Sequence, residues 1–420
     1  MLFVLLLSAA SLFAETKTMT LREALDLALA QNPDLLLTRL DQQKAREQVT
    51  IARDPFVPKV YAGSGAAWTS GFPASIEGEP PAIVEFKTQM SLYNQPQRYQ
   101  IAAARENARG AEIDVAKQQE EVAYRVAALY LDAEKAAHEL QAAQLELENL
   151  TRVAEMVKTR VDEGREIPHA AMAANVDRAR VKRIADSLSL DLRQAESSLA
   201  VVLGMKPDDR VRASQDHAPF LMPESEQDSI DRLLESSPEL KRLESQIQAK
   251  ELEIKGYRAE RLPKVDIVAQ DQIYARYQEE FFTKFQRNGA QLGASFTIPL
   301  LAGNSSKAYI AQAEADIAKL RIQADHTRAQ LANDARRAFQ EVKRAEEGRD
   351  FARQDLEAAR DQVSVNLALQ DEGKLLPAEV EKARAEEQTK WMAYYDAQHN
   401  EELARLNVLR YTGVLLASVK

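Results

Sequence analysis

Two hydrophobic rhythms run along this chain, and each occurs twice. From 122 to 161 the apolar positions Val122, Val126, Leu129, Ala133, Ala136, Leu140, Ala143, Leu147, Leu150, Ala154, Val157 and Val161 are spaced by four and three residues in turn. A sustained heptad of this kind predicts a long helix whose seam packs as a left-handed coiled coil. Counted from Pro96 to Asp162, that helix is about 100 Å long at 1.5 Å per residue. The rhythm returns at Leu331, Ala335, Ala338, Val342, Ala345, Ala352, Leu356, Ala359 and Val363, with a break at Arg349.

The second rhythm has a period of two. Val60, Ala62, Ala66 and Trp68 alternate with Tyr61, Gly63, Gly65 and Thr69, and Val84, Phe86, Met90 and Leu92 alternate with Glu85, Lys87, Gln89 and Ser91. Later, Val265, Ile267, Ala269 and Ile273 oppose Lys264, Asp266, Gln270 and Gln272, while Leu292, Ala294, Phe296 and Ile298 oppose Gln291, Gly293, Ser295 and Thr297. Such alternation predicts strands with one apolar and one polar face. It suits the wall of a membrane barrel, and equally a soluble hairpin with one face half-buried.

Both rhythms belong to an internal duplication. Asn32-Pro33-Asp34-Leu35 answers Ser237-Pro238-Glu239-Leu240, and Pro58-Lys59-Val60 answers Pro263-Lys264-Val265, each 205 residues on. Beyond the first strands the offset becomes 209, where Asp162-Glu163-Gly164 with Pro168 answers Asp371-Glu372-Gly373 with Pro377. The slip falls in the glycine- and proline-rich part of the first copy, since loops absorb length changes. Each copy reads as short helix, helix, strand, turn, strand, long helix, tip and returning helix. A glycine followed by a proline marks each tip, one capping a helix end and the other opening the next helix.

The resulting division places a secretory signal peptide over 1–14, a first repeat over 15–215 and a second over 216–420. The first repeat holds strands at about 59–69 and 83–93 and a helical hairpin at about 97–204. The second holds strands at about 264–275 and 290–299 and a hairpin at about 304–413. The signal reading rests on the short apolar run MLFVLLLSAASLFA, cut after Ala14 or after Ala10. No other run approaches 18 consecutive apolar residues, so a membrane passage has to be a closed barrel.

Composition narrows the picture further. Only 6% of residues are aromatic and 14 of 420 are glycine, a profile that favours helix. A net charge of -10 argues against a nucleic-acid partner, which needs a basic stripe. The absence of cysteine removes disulfides, thiolate metal sites and cysteine nucleophiles.

The duplicated order of motifs resembles the TolC-like outer-membrane efflux protein family over essentially the whole mature chain. The residues that carry the resemblance are Leu21 to Leu29 with Asn32-Pro33, then Leu262-Pro263-Lys264-Val265, then Ile298-Pro299-Leu300-Leu301-Ala302-Gly303. The resemblance implies a mainly α fold in which long antiparallel helices form an α-barrel tunnel and four strands per chain join a shared trimeric β-barrel. It implies a homotrimer in the outer membrane with helices reaching into the periplasm, a periplasmic adaptor protein and an inner-membrane transporter as partners, and no cofactor. Adaptor contact is implied for Gly164, Arg165 and Pro168 and for Gly373, Lys374 and Pro377. The barrel residues expected to face lipid are Val60, Trp68, Phe86, Leu92, Val265, Ile267, Leu292 and Phe296. Some members carry aspartates just past the tip that constrict the tunnel. Here those places hold Ala170 and Ala173 in one copy and Glu379 and Lys382 in the other, which leaves Glu379 as the candidate constriction. The first strand exit, Met90 to Pro96, also lacks the family's usual glycine.

Catalytic and metal signatures do not emerge. His138, His169, His217, His326 and His399 are isolated, with no second ligand at i+3 or i+4 forming a recognisable metal pair, the eight methionines are scattered, and Gly303-Asn304-Ser305-Ser306-Lys307 lacks the spacing of a phosphate loop. Two readings stand: a passive outer-membrane conduit in a tripartite efflux or secretion system, and a soluble periplasmic coiled-coil scaffold or adaptor without a pore.

Overall fold

A computed structural model of the chain describes residues 16–64, 82–206, 208–214, 220–223, 225–274, 288–300 and 304–419. The signal-like segment 1–14, Trp68 and Gly303 lie outside these residues. In chain order the elements are β1 (Thr16–Met19), α1 (Leu21–Gln31), α2 (Pro33–Arg53), a 3-10 turn (Asp54–Phe56), β2 (Lys59–Gly63), β3 (Ala82–Tyr93), α3 (Gln95–Asp162) and α4 (Pro168–Val202). There follow β4 (Arg210–Ala213), α5 (Glu226–Ser236), α6 (Pro238–Ala259), β5 (Lys264–Tyr274), β6 (Asn288–Thr297), α7 (Ser305–Asp371), α8 (Pro377–Thr412) and α9 (Leu415–Val419). The fold is mainly helical, with the period-two segments in strands and the heptad segments in α3 and α7.

Local chemistry sets the helix starts. Thr20 caps α1 in a reciprocal box: its hydroxyl accepts from the Glu23 amide, and its own amide donates to Glu23 Oε2 at 2.9 Å. Ser225 caps α5 more simply, its hydroxyl accepting from the Asp228 amide. Proline opens α2, α4, α6 and α8, where a missing N–H costs nothing.

The chain divides into two compact units. One comprises Met1–Leu37, Ala116–Ser237 and Arg328–Lys420. In it β1 and β4 pair in parallel, from Thr16 opposite Arg210 to Met19 opposite Ala213. The Tyr130 hydroxyl, on α3, is shared between the carbonyl oxygens of Ser214 at 2.7 Å and Met19 at 3.1 Å. Asn32 is buried in the α1–α2 turn, where it donates to the Val202 carbonyl at 2.7 Å and accepts from the Leu35 amide at 3.0 Å. Val122, Val126, Ala133, Ala143, Leu150 and Ala154 of the first seam are buried, as are Ala335, Ala338, Val342, Leu356 and Val363 of the second. Burial of each larger aliphatic side chain is worth roughly 1.5 to 3 kcal/mol. The break at Arg349 is filled by ions: its Nη1 lies 2.8 Å from Oε1 of buried Glu401 on α8, which also meets Arg405 at 2.5 Å.

The other unit comprises Thr38–Val115 and Pro238–Thr327. Its helices pack through Ile254, Ala313 and Ile317, and Arg242 holds Asp114 through a hydrogen bond of 2.9 Å. This unit carries the four-stranded sheet.

Candidate functional site

The sheet runs β2-β3-β5-β6, antiparallel throughout, so each half of the duplication supplies one adjacent pair. Opposed residues in such a ladder share a face, and the register therefore sorts the paired side chains. One face collects Val60, Ala62, Val84, Phe86, Met90, Val265, Ile267, Ala269, Ile273, Leu292, Ala294 and Phe296, with Thr88, Asp271, Asn288 and Ala290 as its non-apolar or small members. The other carries Lys59, Tyr61, Glu85, Lys87, Gln89, Ser91, Lys264, Asp266, Gln270, Gln272, Gln291, Ser295 and Thr297, with Val268 among them. Leu92 falls in the irregularity between Ser91 and Tyr93 and is exposed.

At particular residues the exposure is the reverse of that in a soluble sheet, although Gln89, Gln291 and Ser295 on the polar face are exposed and Val265 and Ile267 on the apolar face are half-buried. On the apolar face Leu292 is 83% exposed, Phe296 71% and Val60 70%, whereas Gln270 and Gln272 on the polar face are only 8% and 6% exposed. The polar side is knitted together: Gln270 Nε2 donates to Glu85 Oε1 at 2.9 Å, and the Ser91 hydroxyl donates to Asp266 Oδ1 at 2.6 Å. The described strands β2 and β6 are the sheet's edges.

The two tips are built alike. At the end of α3, the Gly164 amide donates to the Val161 carbonyl at 2.9 Å and the Arg165 amide to Arg160 at 2.8 Å. At the end of α7, Gly373 donates to Gln370 at 2.9 Å and Lys374 to Leu369 at 2.9 Å. This is the Schellman pattern, which needs a left-handed residue, and both glycines have φ of +72°. A Cβ on either would meet nothing within 4 Å, so these glycines serve the turn and not a close internal contact. Arg165 and Lys374 are exposed and lean on their own neighbours, Glu163 at 3.2 Å and Glu372 at 2.6 Å. Pro168 begins α4 and Pro377 begins α8.

Reading the sequence missed one feature of the tips. Ile167 and Leu376, the N-caps of α4 and α8, are apolar, 62% and 71% exposed, and occupy equivalent places in the two copies. Single exposed residues carry no period, and their recurrence before each proline was the only signal. Glu379 is exposed in the first turn of α8, and its carbonyl accepts from Asn366 Nδ2 at 3.5 Å. Further up α8, Glu381 is held above the ordinary carboxylate range by burial, aided by Asp177 and opposed by Arg384. Glu146 of α3 is raised in the same way, by burial and then by Glu381.

Two of the histidines make ordinary contacts: His399 Nε2 lies 3.0 Å from Asp132 Oδ1, and His138 stacks on Tyr395 with centroids 5.6 Å apart. Among the described residues no group of histidines and carboxylates has the arrangement of a metal site, and no helix is long and apolar enough to cross a membrane.

The chain matches the family profile described as outer membrane efflux protein over residues 24–205 and again over 229–414. No curated protein matches it in sequence. Among solved structures it is similar to the CmeC outer membrane channel of Campylobacter jejuni, with a TM-score of 0.76 and 15% identity over 96% of this chain and 90% of that one. The outer membrane protein VceC of Vibrio cholerae gives 0.74 and 15% over 94% and 96%. A membrane protein from Pseudomonas aeruginosa gives 0.75 and 17% over 93% and 92%. At such identities these structures speak to the fold alone.

Proposed function

This chain belongs to the outer membrane efflux protein family, and from that premise we propose that it is the outer-membrane channel subunit of a tripartite efflux system, a passive conduit from the periplasm to the exterior. The division of the sheet into an apolar and a polar face carries the reading. Exposed Leu292, Phe296 and Val60 on one face, with Gln270 and Gln272 shielded on the other, suit a wall with lipid outside and water inside. A soluble scaffold has no use for that arrangement, and its exposed Leu292, Phe296 and Val60 would cost it solubility.

Four strands cannot close a barrel, and an open edge in hydrocarbon leaves each unpaired backbone group several kcal/mol worse off. β6 of one copy therefore pairs with β2 of the next, and a homotrimer in the outer membrane completes the wall. The lipid-facing set is then Val60, Phe86, Leu92, Val265, Ile267, Leu292 and Phe296, and by the period of two in the sequence Trp68 joins it. The helices extend into the periplasm, where the tips receive an adaptor protein linked to an inner-membrane transporter. Gly164, Arg165, Pro168, Gly373, Lys374 and Pro377 form the docking turns, and Ile167 and Leu376 add an apolar foothold to each. Glu379 contributes one carboxylate per copy to the tunnel mouth.

The test is fractionation of the full-length protein from Gram-negative cells, followed by cross-linking in detergent. Recovery in the outer membrane as a trimer is expected. A monomer released from the periplasm without detergent would overturn the proposal in favour of the scaffold.

A further inference from the structure

The charged residues on the polar face of the sheet follow an order. On β5, Lys264 is followed two residues later by Asp266, and on β3, Glu85 precedes Lys87 by the same step. All four belong to the polar face by register. β5 leaves α6 at Lys264 while β3 runs into α3 after Tyr93, so the strands point in opposite directions. Counted from the helical end, the face therefore presents Lys264, Asp266, Lys87 and Glu85: base, acid, base, acid. Residues two apart on a strand are about 6.8 Å apart, so each base sits one step from its acid.

Among the described residues the remaining charge on this face is Lys59, which forms an ion pair with Asp54 in the turn before β2. Between the charges lie neutral donors and acceptors. Gln270 is opposite Lys87 on one side and Gln291 on the other, Gln272 is opposite Glu85, and Asp266 lies between Ser91 and Ser295. The carboxylates are fixed in place, Glu85 by Gln270 and Asp266 by Ser91.

Resting on the reading of this sheet as a barrel wall, we infer that the bore is a charge-balanced passage in which stacked basic and acidic rings cancel, so that Lys87 and Glu85 set its indifference to the sign of a solute. Threefold repetition places the three copies of any residue at one depth, whatever the tilt of the strands. Charged rings govern which ions a pore admits, and a ring of one sign beside a ring of the other leaves a short-ranged field that salt screens within about 10 Å at 0.1 M. The solutes suited to such a bore are neutral, zwitterionic or amphipathic molecules of either charge.

The experiment measures the reversal potential of detergent-purified trimers in planar bilayers under a potassium chloride gradient. With the carboxylates at the tunnel mouth neutralised by Glu379→Gln, the channel with an otherwise wild-type bore is expected to show a cation-to-anion permeability ratio within about twofold of unity. Removing one ring exposes its neighbour, whose potential of the order of kT shifts the ratio by about threefold. In that background Glu85→Gln should shift it towards anions, Lys87→Gln towards cations, and the two together should return it to the starting value. Near-isosteric changes on the polar face leave assembly intact, which a trimer band on the gel checks. Conducting trimers whose potential does not move, or moves in the same direction for both variants, overturn the inference and leave the channel reading standing. Inserted trimers that pass no current overturn both.

Discussion

Gly164 and Gly373 adopt a backbone geometry that most residues reach only with strain, about 1 kcal/mol for a side chain at positive φ. That cost is local, and the coiled-coil seams behind the tips do not depend on it. Gly164→Asp together with Gly373→Asp should therefore leave trimers intact on a gel while adaptor pull-down and export are lost. Normal export by such trimers would reduce the tips to plain turns. A second residue acts through protons. Burial pushes the Glu120 carboxyl up to about 7, only partly offset by a hydrogen bond from the Leu416 backbone. A carboxylate with a raised folded-state value destabilises its surroundings once ionised. The cost is absent below the unfolded value of 4.5 and grows to its full size as pH rises through about 7. Glu120→Gln should therefore raise the melting temperature at pH 8 and have little effect at pH 5, as followed by circular dichroism of the detergent-solubilised protein.

At the scale of elements, strand faces make the sharpest contrast. Phe296→Arg places a charge on the face proposed to meet lipid, where the midplane penalty is about 2 to 4 kcal/mol, and should reduce the amount of protein in the outer membrane. Ser295→Arg, one residue away on the opposite face, should insert nearly as well as the wild type, with immunoblots of membrane fractions as the measure. Equal loss from both would mean that the two faces do not differ in surroundings. Much of this level was legible in the sequence, because helices and strands advertise themselves by period: the seams of α3 and α7 and the alternation in β3, β5 and β6 needed only counting. The parallel pair β1 and β4 was not legible, since Thr16–Met19 and Arg210–Ala213 are too short to show alternation and lie far apart in sequence. The break at Arg349 was visible, but its remedy was not, because Glu401 and Arg405 come from another helix. The tip turns could be read from recurring glycine and proline, whereas the exposure of Ile167 and Leu376 depends on what surrounds them in space.

For the molecule as a whole, the duplication bears on how one sheet would serve the proposed wall of several copies. Each half contributes a strand pair of similar build, β2 with β3 and β5 with β6, and the join between β3 and β5 within the chain is antiparallel like the others. Extending that pattern outwards repeats it across neighbouring copies without new geometry. The open strands at the two ends of the sheet also bear on inheritance. A chain that joins its neighbours but carries a charge where the wall should meet lipid damages the copies beside it, not only itself. When intact and Phe296→Arg chains are made in equal amounts and mix freely in threes, only about one assembly in eight is wholly intact. Export in such cells should fall far below half and be restored in proportion to the excess of intact chain, so a defective allele should behave as dominant.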